Sequence, residues 1–324
     1  MTKISVVIPC YNDSKSIMLL RDRLTAIFTG QLPQYDYEII YVDDCSPDDT
    51  WSEIQQVCVI DHKCKGIRNA RNFGLVRNSF SSLLYGNGDA VFLVFGDLQD
   101  PPEYLPEFIK HWESGNKVVV GARKNSYTSL ILRLLRKFYY RMMEKLTKNK
   151  IVSGVNFFGL YDRSFIRVLE QIEDVQPVLN GIIAEYAGDL KVVDVTQDKS
   201  ARGKSNINFW GRYDLAMMNL TSYSKLFLRM VTFIGVGFGL FGVLFSLWVF
   251  IQKVLYWDNY SAGIPALICG VFFLGGLQLF FLGIIGEYLL SINNRSMKRP
   301  LVVVSERINI DESQAEEANR AIRI

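Results

Sequence analysis

Two stretches of the chain, Met230 to Ile251 and Ile264 to Gly286, run without a single charged side chain, and nothing else in the sequence constrains the architecture as strongly. Each is near the ~20 residues that a helix needs to cross the hydrocarbon of a bilayer. Apolar residues occur all round both stretches, whereas a helix packed on a soluble core keeps one polar face. The sequence therefore predicts a two-helix transmembrane hairpin over 226–292, with spans at about 230–251 and 264–288. Lys225 and Arg229 precede the first span, Arg295, Lys298 and Arg299 follow the second, and the intervening loop carries only Lys253 against Asp258. That distribution places both ends of the hairpin on the cytoplasmic side and leaves 293–324 as a cytoplasmic tail. Gly235, Gly237, Gly239 and Gly242 in one span, and Gly270, Gly275, Gly276 and Gly283 in the other, would let the helices approach closely.

The remaining two thirds is long enough for one sizeable globular domain, at 1–225. Ile4 to Ile8 (ISVVI) and Glu38 to Val42 (EIIYV) are short β-branched runs that read as buried parallel strands. Lys15 to Phe28 has apolar residues at helical spacing, with Asn12, Asp13 and Ser14 as capping candidates, which makes a βαβ unit. Ala90 to Phe95 and Lys117 to Val120 add further strands. The fold class is α/β, with ligands expected at the carboxyl ends of the strands. Leu130 to Lys148 mixes apolar side chains with Arg133, Arg136, Lys137, Arg141 and Lys145. It reads as a basic amphipathic helix, lying on an anionic bilayer or packed on the soluble core with its charges solvated.

Several functions are disfavoured. A net charge of +3 without a long basic block does not suit nucleic-acid binding. The five cysteines show no metal-ligand spacing and suit reduced thiols packed in a core. Two histidines make a histidine metal cluster or a Ser-His-Asp triad improbable. Met1 to Pro9 enters directly into a strand, which predicts no secretory leader and a cytoplasmic N-terminal domain.

Carboxylates gather where strands end. Pro9-Cys10-Tyr11-Asn12-Asp13 follows the first strand, and Asp43-Asp44-Cys45-Ser46-Pro47-Asp48-Asp49-Thr50 the second. Asp48 and Asp49 read as a helix-capping cluster. Asp44, at the strand end, could accept the imide N–H of uracil or the amino-type donors of guanine. Asp97-Leu98-Gln99-Asp100-Pro101-Pro102-Glu103 follows the strand from Ala90. The prolines and Glu103 suit a helix start, but Asp97 and Gln99 are hard oxygen ligands suited to Mg²⁺ or Mn²⁺ shared with a diphosphate.

SVVIPCYND, YVDDCSPDDT, RNFG at Arg71 to Gly74, DLQDPPE, FGLYDR at Phe158 to Arg163, GKS at Gly203 to Ser205, GIIGEY at Gly283 to Tyr288 and KRP at Lys298 to Pro300 occur in order along the chain. Together they resemble family 2 glycosyltransferases of the polyprenyl-phosphate type, which include dolichol-phosphate mannose synthases and bactoprenol glucosyltransferases. The resemblance implies a GT-A (Rossmann-like) fold, inverting transfer from a nucleotide-sugar, and a site in the inner (cell) membrane with its catalytic domain in the cytoplasm. It implies donor contacts at Pro9, Tyr11, Asp13, Asp44, Gln99, Arg202 and Ser205, catalytic roles for Asp97 and Arg123, and metal ligands at Asp97 and Gln99. Arg133 and Arg136 are candidates for the acceptor phosphate. Three departures stand out: Phe95 occupies the place of the first acid of the family's Asp-x-Asp pair, Asp13 stands where Glu is common, and Ser200 and Asn206 replace basic residues around Gly203.

A polyprenyl phosphate, with a second pKa of about 6, is already largely dianionic at neutral pH and needs no strong general base. The expected function is thus transfer of a hexose-type sugar, from a UDP-sugar in preference to a GDP-sugar, to a polyprenyl phosphate for cell-surface glycans. Membrane lipids are expected partners, and a homo-oligomer is left open. The alternatives are transfer to another lipid-linked acceptor, or a catalytically silent nucleotide-sugar-binding membrane protein.

Overall fold

The computed structural model describes residues 1–123, 155–174, 177, 179–196, 263–296 and 299–310, with isolated positions between 235 and 255. The chain divides into two compact units, Met1–Ile207 with Lys298–Ile324, and Asn208–Met297.

The first unit alternates strand and helix: β1 (Lys3–Cys10), α1 (Ile17–Gly30), β2 (Asp36–Asp43), α2 (Thr50–Ile60), β3 (Cys64–Asn69), α3 (Leu75–Tyr85) and β4 (Ala90–Leu93). A 3₁₀ turn at Pro102–Tyr104 leads into α4 (Leu105–Glu113) and β5 (Val118–Arg123). Then follow β6 (Val155–Asp162), α5 (Arg163–Glu170), α6 (Leu179–Tyr186), β7 (Leu190–Val195) and, after the second unit, β8 (Val304–Ile308). The strands form one sheet in the order β7-β5-β6-β4-β1-β2-β3-β8. β4, β1, β2 and β3 are mutually parallel, while β6 is antiparallel to β4 and β5, and β8 is antiparallel to β3.

Alternation along the strands builds two cores. Val6, Ile8, Ile39, Tyr41 and Phe92 face Leu20, Leu24, Trp51, Ile54 and Phe108 of α1, α2 and α4. Val7, Ile40, Val42, Val91 and Leu93 face Phe80, Leu83, Phe165 and Ile182 of α3, α5 and α6. A sheet covered on both faces explains why its central strands read as continuous apolar runs.

Some boundaries differ from the sequence reading. The first helix begins at Ile17 and its N-cap is Ser16, without a side-chain cap bond, so Asn12, Asp13 and Ser14 are not its caps. Asp13 turns instead onto its own loop. The expected strand to Phe95 ends at Leu93, with Val94 N still donating to Val7 O at 3.2 Å and both Val94 and Phe95 buried. The largest difference is β8. The segment taken for a tail supplies an edge strand to the sheet of the first unit, with Leu301 and Val302 buried in the second core. A five-residue strand with exposed Ser305, Glu306 and Arg307 lacks the apolar signature by which strands are recognised in sequence.

In the second unit, α7 (Gly263–Ser296) contains the predicted 264–288 span, and Phe273–Leu290 is apolar and long enough to cross a membrane. The described positions between 235 and 255 are helical. Two contacts join them to α7: the Phe238 and Phe273 rings lie 5.8 Å apart, and a Cβ at Gly235 would stand 3.8 Å from Phe281. Of the glycines expected to bring the helices together, Gly235 meets its partner, whereas Gly237, Gly270, Gly275, Gly276 and Gly283 face open space.

Candidate active site

The loops leaving β1, β2 and β4 each contain one non-glycine residue in the left-handed region: Asn12 at φ 58°, Cys45 at φ 57° and Leu98 at φ 58°. Such conformations cost energy and persist where surrounding contacts impose them, often at functional sites. The contacts are visible here. Asn12 N donates to Ser46 Oγ at 3.1 Å and Asp13 N to Thr50 Oγ1 at 2.8 Å, tying the first loop to the second. Asp44 N donates to Cys10 O at 3.0 Å. Ser16 Oγ donates to the carbonyls of Asp13 and Gly96, which binds the first loop to the third.

Asp13 is buried, and its Oδ2 accepts from Tyr11 N at 3.0 Å. A Cβ at Gly96 would lie 2.7 Å from that oxygen, so the third loop can pass the carboxylate only as glycine. Pro9 is buried, and Tyr11 is partly exposed.

Asp43 and Asp44 are both buried. Asp43 accepts from Ser46 N at 3.1 and 3.2 Å, and from the Ser46 hydroxyl, with Arg68 Nε 3.6 Å away. Asp44 accepts from Asn69 Nδ2 at 2.8 Å, Phe73 N at 3.0 Å and Gly74 N at 2.8 Å. Burial pushes both carboxyls up from the usual range, and these hydrogen bonds oppose the rise without cancelling it. Three donors of the chain itself occupy Asp44, which is 2% exposed. The geometry therefore ties it to the Arg71–Gly74 loop, which enters α3 through Gly74 at φ 90°. Arg68 and Asn69 are participants that sequence reasoning missed, their one signal being position at the carboxyl end of β3, while Ser46 and Thr50 stood in the quoted YVDDCSPDDT stretch without a role.

Asp97 and Gln99 are partly exposed, in contrast to the three buried acids. Asp97 Oδ1 accepts from Gln99 N at 3.2 Å. One carboxylate and one amide are hard donors that fit Mg²⁺ or Mn²⁺, but they fill only part of such an ion's shell. Among the described residues no three His, Cys, Asp or Glu side chains gather to hold a metal. The residues present thus fit an ion that takes its other ligands from substrate phosphates and water. Phe95 does not line this place: its ring is 9% exposed and belongs to the core under α3.

Arg123 ends β5, and its side chain lies outside the described residues, as do Arg133, Arg136, Arg202, Ser205 and the 130–148 helix. FGLYDR is structural. Asp162 caps α5 by accepting from Ser164 N at 2.9 Å, and Arg163 Nε donates to Gly88 O at 2.9 Å. Asp48, not Asp49, serves α2, accepting from Thr50 N at 3.2 Å. Cys10, Cys58 and Cys64 are buried and outside any disulfide, and burial pushes Cys58 up to about 12. Cys45 is the exception, half-buried in the second loop.

The sequence matches the glycosyl transferase family 2 over residues 5–169, from β1 to the end of α5. The chain belongs to glycosyl transferase family 2. This family 2 glycosyltransferase is 30% identical to the bactoprenol glucosyl transferase of Shigella phage SfV over 303 residues, covering 93% of this chain and 98% of that one. It is 30% identical to the putative glycosyltransferase CsbB of Bacillus subtilis over 316 residues, 98% of this chain and 95% of that one. Among solved structures, glucosyl-3-phosphoglycerate synthase from Mycobacterium tuberculosis with Mn²⁺ and UDP-glucose aligns at 18% identity and a TM-score of 0.49, covering 68% of this chain and 77% of that chain. The sheet order and its family membership make the first unit of this enzyme a GT-A, Rossmann-like domain.

Proposed function

We propose that this glycosyltransferase moves a hexose-type sugar from a nucleotide-sugar, a UDP-sugar in preference to a GDP-sugar, to a polyprenyl phosphate at the cytoplasmic face of the cell membrane. The observation that carries the reading is the division of labour among the strand-end acids: Asp13, Asp43 and Asp44 are buried and hold the loops, while Asp97 stands partly exposed beside Gln99. Asp97 is thus free to meet a diphosphate through a shared Mg²⁺ or Mn²⁺, which would supply positive charge to the leaving group. Asp44 contributes to base recognition by fixing the backbone of Arg71–Gly74. Tyr11 and Pro9, on the loop after β1, are assigned to the donor as well. An acceptor phosphate attacks without a strong base, which suits a site whose buried acids are all engaged. The acceptor is inferred from relatives named bactoprenol glucosyl transferases, which align beyond the catalytic domain and through the apolar helix. Arg123, Arg202 and Ser205 are assigned to the donor phosphates, and Arg133 and Arg136 to the acceptor phosphate.

Chain topology supports the membrane hairpin. Residues on both sides of Asn208–Met297 belong to one folded sheet, so the chain must leave and return on the same side of any bilayer. If α7 crosses a bilayer, a second crossing within 208–262 would bring the chain back to the sheet. The contacts of Phe238 and Gly235 with α7 fit that second span.

Purified full-length protein incubated with a panel of nucleotide-sugars, undecaprenyl phosphate and Mg²⁺ should yield a glycosylated lipid from one of them. Nucleotide-sugar binding without transfer to any lipid acceptor would favour the silent-binder alternative.

A further inference from the structure

The segment that returns from the second unit does more than close a sheet edge. β8 and Val303 just before it hold the chain on either side of Asn69 in sequence: Ser305 Oγ donates to Arg68 O at 3.1 Å, and Ala70 N donates to Val303 O at 2.8 Å. Between those two bonds lies Asn69, which donates to Asp44. The register shifts at Arg68/Asn69, an irregularity of the kind that re-aims side chains at the rim of a sheet.

Side chains continue the link inward. Glu306 Oε1 accepts from Arg68 Nη1 at 3.1 Å, and Glu306 Oε2 accepts from Trp51 Nε1 at 3.2 Å. The Arg68 guanidinium lies 5.8 Å from the Trp51 ring centroid and 3.6 Å, through Nε, from Asp43 Oδ2. Asp43 holds Ser46, and Ser46 Oγ holds the backbone of left-handed Asn12. A continuous path of polar contacts thus runs from β8, which follows the apolar helix in sequence, through β3 and β2 to the loop after β1. Asp43 is fully buried, and Arg68 is the only cation recorded against it among the described residues.

We propose that Glu306 and Arg68 are positioning residues, through which the returning strand β8 sets the loops that receive the donor nucleotide. Glu306 orients Arg68 and Trp51. Arg68 then neutralises Asp43 and keeps the Ser46 and Asn12 loops in their left-handed form. The donor site is accordingly completed by sequence that follows the membrane segment, over 230 residues after the motifs it supports. The inference rests on the proposed nucleotide-sugar site.

The test compares full-length wild type, Glu306→Ala, Glu306→Gln and Arg68→Ala in lipid nanodiscs, measuring donor KM, kcat and the affinity for free UDP. A positioning role predicts that Glu306→Ala raises donor KM and UDP Kd by about tenfold, the scale of one charge-assisted hydrogen bond in a network, with kcat changed less than about twofold. Glu306→Gln, which still offers an oxygen to Trp51 or Arg68, should recover most of the loss. Arg68→Ala should be at least as severe as Glu306→Ala. Equal KM and Kd in Glu306→Ala and wild type would overturn the proposal, as would a fall in kcat with KM unchanged. Failure of wild type to turn over any donor would instead count against the transferase reading, and the UDP affinities would still decide the role of Glu306.

Discussion

The two ends of the catalytic sheet handle buried carboxylates in opposite ways. At the amino end, Glu38 Oε2 lies 2.9 Å from both Lys3 Nζ and Lys65 Nζ, and Glu38 Oε1 accepts from Ser5 Oγ at 2.6 Å. Burial alone would raise its pKa, but these partners overcome it and bring the group down to about 2. At the carboxyl end, Asp43 and Asp44 are as deeply buried, yet face mainly neutral donors and are pushed up. One end spends two cations on one acid and is built for stability. The other leaves its acids under-compensated, and that cost is tolerated where loops must be shaped around a ligand.

Substitution at each end should separate activity from stability. Asp97→Ala removes a partly exposed carboxylate with one local backbone bond, so the fold should be unaffected. Transfer should fall at least about 1,000-fold, the scale of losing a preorganised group beside developing charge. Normal turnover in that variant would dissolve the functional half of the contrast. Glu38→Ala should do the reverse. It removes the buried acid that Lys3, Lys65 and Ser5 hold, and the expected loss of stability is about 3 kcal/mol. Denaturant titration would measure it, and kcat/KM of the folded protein should stay within about twofold. A stability change near zero would show that the cluster is no stronger than a surface pair.

Acidification should sharpen the same comparison. Glu38 binds its proton less readily folded than unfolded, so its contribution is complete above its ordinary value of 4.5 and is lost as pH falls from there toward about 2. Asp43 and Asp44 have the opposite sign. Their folded forms take up protons above the ordinary carboxylate range, so protonation does not unfold the protein but cancels the charge that orders the Arg71–Gly74 and Ser46 loops. Donor affinity should therefore decline at a higher pH than the one at which the domain unfolds. Parallel pH titrations of UDP binding and of intrinsic fluorescence would test this, and coincident midpoints would refute it.

What the sequence revealed follows the same divide. β1, β2, β4 and α1 were legible because local pattern and burial agree in them: an apolar run between two helical layers reads as a strand in isolation. The acids of the site were legible as a group because they sit immediately after those runs. Their individual roles were not, since whether Asp44 meets a ligand or the backbone of Phe73 depends on a loop 29 residues away. β8 was hidden for the same reason, its ladder partner lying at Arg68 and its burial restricted to Leu301 and Val302. Phe95 stands at the acid's place in the motif, and what only the structure adds is that its side chain packs in the core on the face lined by α3.

The smallest contrast lies between two adjacent acids that the sequence treats alike. Asp48 and Asp49 are both exposed before α2. Asp48 accepts from Thr50 N at 3.2 Å and from Ser14 N at 3.4 Å, while Asp49 occupies the N-cap position without a side-chain bond. Thr50 Oγ1 in turn accepts from Asp13 N, so Asp48 steadies both the helix start and the loop after β1. Loss of a capping side chain costs about 1 kcal/mol, whereas an exposed residue away from such features usually matters by less than about 0.5 kcal/mol. Asp48→Ala should therefore lower stability by the first amount and weaken UDP binding by about twofold through the loosened loop, with Asp49→Ala near wild type in both. Urea titrations at equal m-values, paired with UDP titrations, resolve differences of this size. Equal losses in the two variants would mean that the helix responds only to charge near its N-terminus, and that the Asp48–Thr50–Asp13 chain contributes nothing to the loop.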